Sequence, residues 1–160
     1  MLIGIMSDSH DNLNSIKKAV NVFNERKVEI VLHAGDMVSP FTANEFEKLK
    51  SKFIAVFGNN DGDKPFLMER FKNIGELHNE PYEFELDGKK IVIMHAPKFL
   101  DELLEDKRYD IVIYGHTHRV DIRKGTSLII NPGECGGWLY GRSTIAILDT
   151  KTLNPEIVDL

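Results

Sequence analysis

Apolar residues recur along this chain with two different periods, and the change between them divides it into halves. Residues 2–7 form a nearly unbroken apolar run, the pattern of a strand buried on both faces. Over residues 12–27 the spacing changes. Leu13, Ile16, Val20 and Phe23 recur at helical intervals with polar residues between them, which predicts a helix. Residues 29–33 and 53–57 are two further short apolar runs. Residues 40–50 and 64–74 predict helices, with Pro40 and Pro65 suited to first turns. This βαβαβα order predicts a parallel sheet with crossover helices.

After residue 80 the pattern is strand-like. Tyr82-Glu83-Phe84-Glu85-Leu86 alternates, Asp87-Gly88 is a hairpin turn signal, and residues 90–94 run back. Residues 97–106 predict a short helix. Residues 111–114, 120–123, 127–130, 143–148 and 155–158 predict later strands with few helices between them. A helix-rich first half and a strand-rich second half imply an α/β fold: two sheets face to face with helices outside, in one domain over residues 1–160. No repeat, linker or low-complexity tract interrupts it. The glycine-rich stretch Pro132-Gly133-Glu134-Cys135-Gly136-Gly137-Trp138 reads as a loop.

Composition narrows the picture in three ways. The formal net charge is −5, and no run of four Lys or Arg occurs. Duplex nucleic acid, which is bound mainly by phosphate neutralisation, is therefore not the expected partner. The apolar N-terminus reaches Asp8 and His10 too soon to span a membrane and has no basic leader, so a cytoplasmic location is expected. Cys135 is the only cysteine, which excludes an intramolecular disulfide and a cysteine-rich zinc site.

Metal-type side chains stand at the ends of the apolar runs. Asp8-Ser9-His10 follows the first, Gly35-Asp36 the second, and Gly58-Asn59-Asn60-Asp61 the third. His95 and Gly115-His116-Thr117-His118 follow two later ones. In open α/β sheets, ligands bind outside the carboxyl ends of the strands, where loops distant in sequence meet. Asp8, His10, Asp36, Asn59, His95, His116 and His118 are too many for one tetrahedral ion. They suit two ions sharing a carboxylate, and the mixed oxygen and imidazole set favours manganese, iron, zinc, nickel or cobalt over calcium or magnesium. Two such ions about 3.5–4 Å apart can generate hydroxide and clamp the oxygens of an in-line phosphoryl displacement. Such a centre stays cationic after its two carboxylates and a hydroxide are counted, so it would attract a small anionic phosphoester.

This ordered series resembles the calcineurin-like metallophosphoesterase family. The short chain and Asn131-Pro132-Gly133 resemble its small, single-domain bacterial and archaeal phosphodiesterase branch. The resemblance implies a four-layer αββα sandwich of two mixed β-sheets flanked by helices. It implies that Asp8, His10, Asp36 and His118 hold one metal, that Asp36, Asn59, His95 and His116 hold the other, and that Asp36 bridges. Hydrolysis of small activated or nucleotide-type phosphodiesters is the implied activity, by attack of a hydroxide bridging two divalent metals, manganese foremost. A phosphomonoesterase and a non-catalytic protein-binding scaffold of the same fold are the alternatives; intact ligand positions favour an enzyme.

Asn60 and Asp61 are the candidate catalytic positions, and one departs from the family. Many relatives carry a histidine directly after the asparagine ligand, where this chain has Asn60. An amide can donate a hydrogen bond to a phosphoryl oxygen but cannot act as a general acid near neutral pH. Activated diesters are therefore expected to react better than alkyl monoesters. Met94 precedes His95 where the family has glycine, which bears on loop shape.

Other positions have plainer readings. Asp8 and Asp36 stand where helix caps could stand. His33 reads as a hydrogen-bonded core histidine, His78 as a surface residue in a polar connection, and Cys135 as inert. Arg119 reads as solvated, within reach of a phosphate. The aromatic loop 134–141 fits a cleft wall or a contact in a homo-oligomer equally.

Overall fold

The computed structural model of the chain describes residues 1–105 and 107–160. Its first strand, β1 (Leu2–Met6), shows how the layers arise. Side chains alternate across a strand, so Ile3 and Ile5 point one way and Met6 the other. Ile3 and Ile5 pack between two sheets with Ile30, Leu32, Ile91, Ile93, Ile111, Ile113, Ile130 and Leu148. Met6 packs under the helices with Ile16, Phe23, Phe46, Phe53 and Phe71. Each fully buried Ile or Leu contributes on the order of 1.5–3 kcal/mol, so this aliphatic middle layer is what holds the sheets together.

The first sheet has the strand order β11-β10-β1-β2-β3-β4. Strands β2 (Ile30–His33), β3 (Lys52–Val56) and β4 (Glu76–His78) continue β1 in parallel, while β10 (Thr144–Asp149) pairs antiparallel with β1 and β11 (Asn154–Asp159) antiparallel with β10. The second sheet has the order β5-β6-β7-β9-β8. In it β6 (Lys89–Ile93), β7 (Ile111–Ile113) and β9 (Leu128–Pro132) are parallel, edged by antiparallel β5 (Tyr82–Leu86) and β8 (Val120–Lys124). Helices α1 (Leu13–Glu25), α2 (Ala43–Phe46) and α3 (Lys64–Phe71) accompany the first sheet, and α4 (Leu100–Glu105) covers the outer face of the second through Leu100, Leu103 and Leu104. This is the four-layer αββα arrangement of two mixed sheets. Among the described residues no helix is long and apolar enough to cross a membrane.

Four elements differ from the sequence expectation. The helix predicted over 40–50 is a 3-10 turn (Pro40–Thr42) followed by the single turn of α2. The helix predicted over 64–74 ends at Phe71, and the one predicted over 97–106 begins only at Leu100, its last predicted residue, Asp106, lying outside the described residues. The polar connection around His78 contains a strand, β4. It is three residues long, too short to show a period, and its order comes from pairing with β3. His78 accordingly lies on the sheet edge, its ring stacked on Tyr82 at 3.6 Å.

His33, at the end of β2, is fully buried. The Gly35 N–H donates to its Nδ1 (3.1 Å), so the ring proton sits on Nε2 and is donated to Ser9 Oγ (3.0 Å). Burial is the main cause that pulls its pKa from 6.5 down to about 3. The unfolded chain thus takes up a proton near pH 6.5 and the folded chain only near 3. Stability held by a neutral His33 is complete above about 6.5 and is lost as pH falls toward 3. Urea unfolding of metal-free protein should therefore lose several kcal/mol across that interval, with a shallower slope for His33→Gln. Equal slopes in the two proteins would remove His33 as the cause.

Candidate metal centre

Loops leaving the carboxyl ends of β1, β2, β3, β6 and β7 meet at one edge of the sandwich. Asp8 is fully buried there, and both its oxygens accept the His116 N–H, at 3.2 and 3.0 Å. His118 Nε2 lies 3.5 Å from Asp8 Oδ1, and the His118 ring stacks on His10 with centroids 5.0 Å apart. Asp8, His10 and His118 offer ligand atoms all within 4.8 Å of one another, and so do Asp8, Asp36 and His95. Asp36 Oδ2 stands between the two groups, 3.5 Å from His10 Nε2 and 3.3 Å from His95 Nε2. Asn59 Oδ1 is 2.9 Å from both His95 Nε2 and His116 Nδ1. All seven ligand-type residues singled out in the sequence are thus in one cluster.

The backbone is shaped around them. Asp8, His10, Asp36, His116 and His118 all have left-handed φ values, between 39° and 67°. Each such non-glycine residue costs on the order of 1–3 kcal/mol, and strain of this kind concentrates at functional sites. Two glycines leave room that no other residue would. A Cβ at Gly58 would lie 2.1 Å from Asp36 Oδ1, and one at Gly115 would lie 2.8 Å from Asp8 Oδ2. Helix capping falls to other residues: Asn12 Oδ1 accepts from Ser15 N, and Asp63 Oδ1 from Phe66 N. Asp8 and Asp36 are therefore not caps.

Charge is arranged unevenly. For Asp36, burial alone would raise the pKa, but hydrogen bonds from His95 and Asn60 and the His95 charge outweigh it and hold the carboxyl well below the usual range. For His95, burial opposes the charge, yet the Asp36 carboxylate beside it raises its pKa to about 9. Burial raises the pKa of Asp8. An arriving cation would displace protons from such groups.

The donor set fits a metal. His10 Nε2 is buried with no hydrogen-bond partner among the described residues, an orphan atom within the cluster. His95 donates Nδ1–H to the Ala34 carbonyl (2.8 Å), which leaves its Nε2 free to face Asp36 and Asn59. His118 is held in the same way, with Nδ1 on Glu134 Oε2 at 2.9 Å. Fixing the remote nitrogen of a histidine in this manner is what metal ligands require.

Asn60 donates from its backbone to Asp36 Oδ1 (2.8 Å) and from its amide to Asp36 Oδ2 (2.7 Å). Asp61 is buried, and its carboxylate accepts three backbone N–H groups, from Asp36 (3.0 Å), Gly58 (2.7 Å) and Val38 (2.7 Å). Burial raises its pKa against those hydrogen bonds. Arg119 is exposed; its Nε donates to the Tyr140 hydroxyl (3.0 Å). Cys135 is fully buried, which pushes its thiol up to about 12 and keeps it inert. Glu134 did not stand out in the sequence. The available signal was its position two residues after β9, a further strand end on the same edge.

Residues 1–153 match the sequence profile of the calcineurin-like phosphoesterase superfamily domain. A protein of Methanocaldococcus jannaschii named a phosphodiesterase is 47% identical over 156 residues, covering 94% of each chain. A solved structure described as a novel archaeal phosphodiesterase superposes with a TM-score of 0.94 at 43% identity, over 100% of both chains. Vps29 of Chaetomium thermophilum superposes with a TM-score of 0.68 over 100% of this chain and 97% of its own, but at 15% identity it shares the fold alone. The ligand-type cluster, the two-sheet architecture and the profile match lead to one assignment: this chain belongs to the calcineurin-like phosphoesterase superfamily.

Proposed function

We propose that the protein is a metal-dependent phosphodiesterase acting on small activated or nucleotide-type diesters. The observation that carries this reading is the convergence of seven ligand-type side chains around a buried His10 Nε2 that has no hydrogen-bond partner among the described residues. The name of the 47% identical relative supports the diester class. Asp8, His10, Asp36 and His118 would hold one divalent transition ion and Asp36, Asn59, His95 and His116 a second. Manganese is the first expectation, with nickel, iron, zinc or cobalt as alternatives, in a cytoplasmic enzyme. Bound there, the ions would supply an activated water and neutralise phosphoryl charge.

The chain's own groups set the remaining chemistry. Asp36 faces both halves of the cluster and keeps them in register. A cleft of about 370 Å³ beside His95 and His116, lined also by Phe57, Asn59, Lys64 and Glu80, can receive the ester. Lys64 brings an ammonium to it, held over the Phe57 ring at 5.1 Å. Asn60 can turn its amide from Asp36 to a phosphoryl oxygen, but it has no proton to give a leaving group. Asp61 acts through Asp36 as a positioning residue. A scaffold would have no need of intact ligands, left-handed turns and an orphan imidazole in one place.

Chelation tests the reading. Hydrolysis of bis-p-nitrophenyl phosphate should fall at least about 100-fold on exhaustive metal removal and return with added manganese or nickel. Alkyl phosphomonoesters should remain at least about 10-fold slower, because their leaving groups need the acid that Asn60 cannot provide. Diester hydrolysis that survives chelation would overturn the proposal.

A further inference from the structure

Glu134 is buried at 1% exposure, and four donors converge on its two oxygens. Oε2 accepts from His118 Nδ1 (2.9 Å), Trp138 N (3.0 Å) and Leu139 N (3.1 Å). Oε1 accepts from Leu139 N (3.0 Å) and Tyr140 N (2.7 Å). An ionised carboxylate, which accepts everywhere and donates nowhere, suits all of these contacts at once. One side chain therefore holds both a ligand-type histidine and the backbone of the loop that carries Trp138 and Tyr140. That loop borders the same cluster. The Trp138 indole N–H donates to the His10 carbonyl (3.0 Å) while 63% of the residue remains exposed. Tyr140 accepts from Arg119, whose guanidinium lies 5.1 Å from its ring centroid and which directly follows His118.

We infer that Glu134 is a positioning residue that couples the His118 side of the metal centre to the aromatic loop 137–141. This rests on the metal-site reading above. The physical link is short. Glu134 fixes the His118 ring so that Nε2 faces Asp8, and the same oxygens tie down the loop backbone. A cation on Nε2 makes Nδ1–H a stronger donor and so strengthens its bond to Glu134. The carboxylate is then held more firmly against the three loop amides. Loading of the centre thereby orders the wall beside it, before any substrate is present.

Trp138 is the only tryptophan in the chain and reports on the loop directly. The probe is Zn²⁺ alone, a closed-shell ion, added to metal-free protein, with acrylamide quenching of Trp138 and calorimetric zinc affinity as readouts. In the wild type, zinc is expected to lower the quenching constant about twofold. Glu134→Gln replaces one acceptor oxygen by an NH₂ that faces donors. It should abolish the zinc-dependent change and weaken zinc binding roughly 10–100-fold. His118→Ala cuts the link from the other side and should also leave Trp138 insensitive to zinc, without altering Glu134. Wild-type protein that binds no zinc would overturn the metal-site reading and this inference together. Wild-type protein that binds zinc with unchanged quenching, or a Glu134→Gln protein that responds like wild type, would overturn the coupling alone.

Discussion

Asp36→Ala is expected to lower diester hydrolysis by about 10³-fold or more, roughly 4 kcal/mol in activation free energy, and to reduce the metal held by the protein. The carboxylate faces both parts of the cluster: its Oδ2 lies 3.5 Å from His10 Nε2 and 3.3 Å from His95 Nε2. The neighbouring carboxylates are committed elsewhere. Both Asp8 oxygens already accept the His116 N–H, and the Asp61 oxygens are filled by backbone donors. Without Asp36, His95 loses the charge that keeps its pKa near 9, and the Asn60 amide loses its acceptor. The loss should appear in kcat/KM and in metal content by mass spectrometry. Asp36→Asn, which keeps shape but not charge, should behave nearly as badly. Metal content and turnover close to wild type in both variants would refute a shared ligand at this position.

The strand-end logic of the sequence carried far because it depends on local signals. Apolar runs of three to six residues, each ended by polar ligand-type residues and several of them by a glycine, are visible one at a time, and the parallel order of β1, β2 and β3 follows from the helical spacing between them. β4 escaped because a three-residue edge strand has no period of its own. The helix predicted over 40–50 stops at Phe46 and is only partly α-helical, because residues 47–50 turn away after Phe46 has been buried against Phe53 and Phe71. Within the site, residue types that bind metals stood out, whereas residues that hold them did not. Glu134 reaches His118 across 16 positions, and Asp61 reaches Asp36 across 25. A carboxylate spent on backbone N–H groups looks, in sequence, like any other acidic residue. Left-handed φ at Asp8, Asp36, His116 and His118 was equally invisible, because only the assembled loops impose it.

Asp61→Ala is expected to cost about 3–5 kcal/mol of stability as well as metal affinity, and this pairing is what separates a brace from a reacting group. Its carboxylate joins the turn after β2 to the turn after β3 by accepting from Asp36, Val38 and Gly58. Removing it leaves three donors without partners at a buried edge, each costing about 1–3 kcal/mol. Val38 adds to the effect. It is β-branched at φ 79°, a conformation it keeps because Asp61 Oδ1 holds its N–H at 2.7 Å. When that hold is lost, the segment can relax and carry Asp36 away from His10 and His95. Urea unfolding of the metal-free proteins should therefore rank Asp61→Ala well below Asp36→Ala, although both lose metal. Asp61→Asn, which retains one acceptor oxygen, should fall between wild type and alanine in stability and in activity together. A residue acting as an acid or base would behave otherwise: Asp61→Asn would unfold like wild type while turnover collapsed. Three backbone donors on its two oxygens predict instead that stability and turnover decline in step.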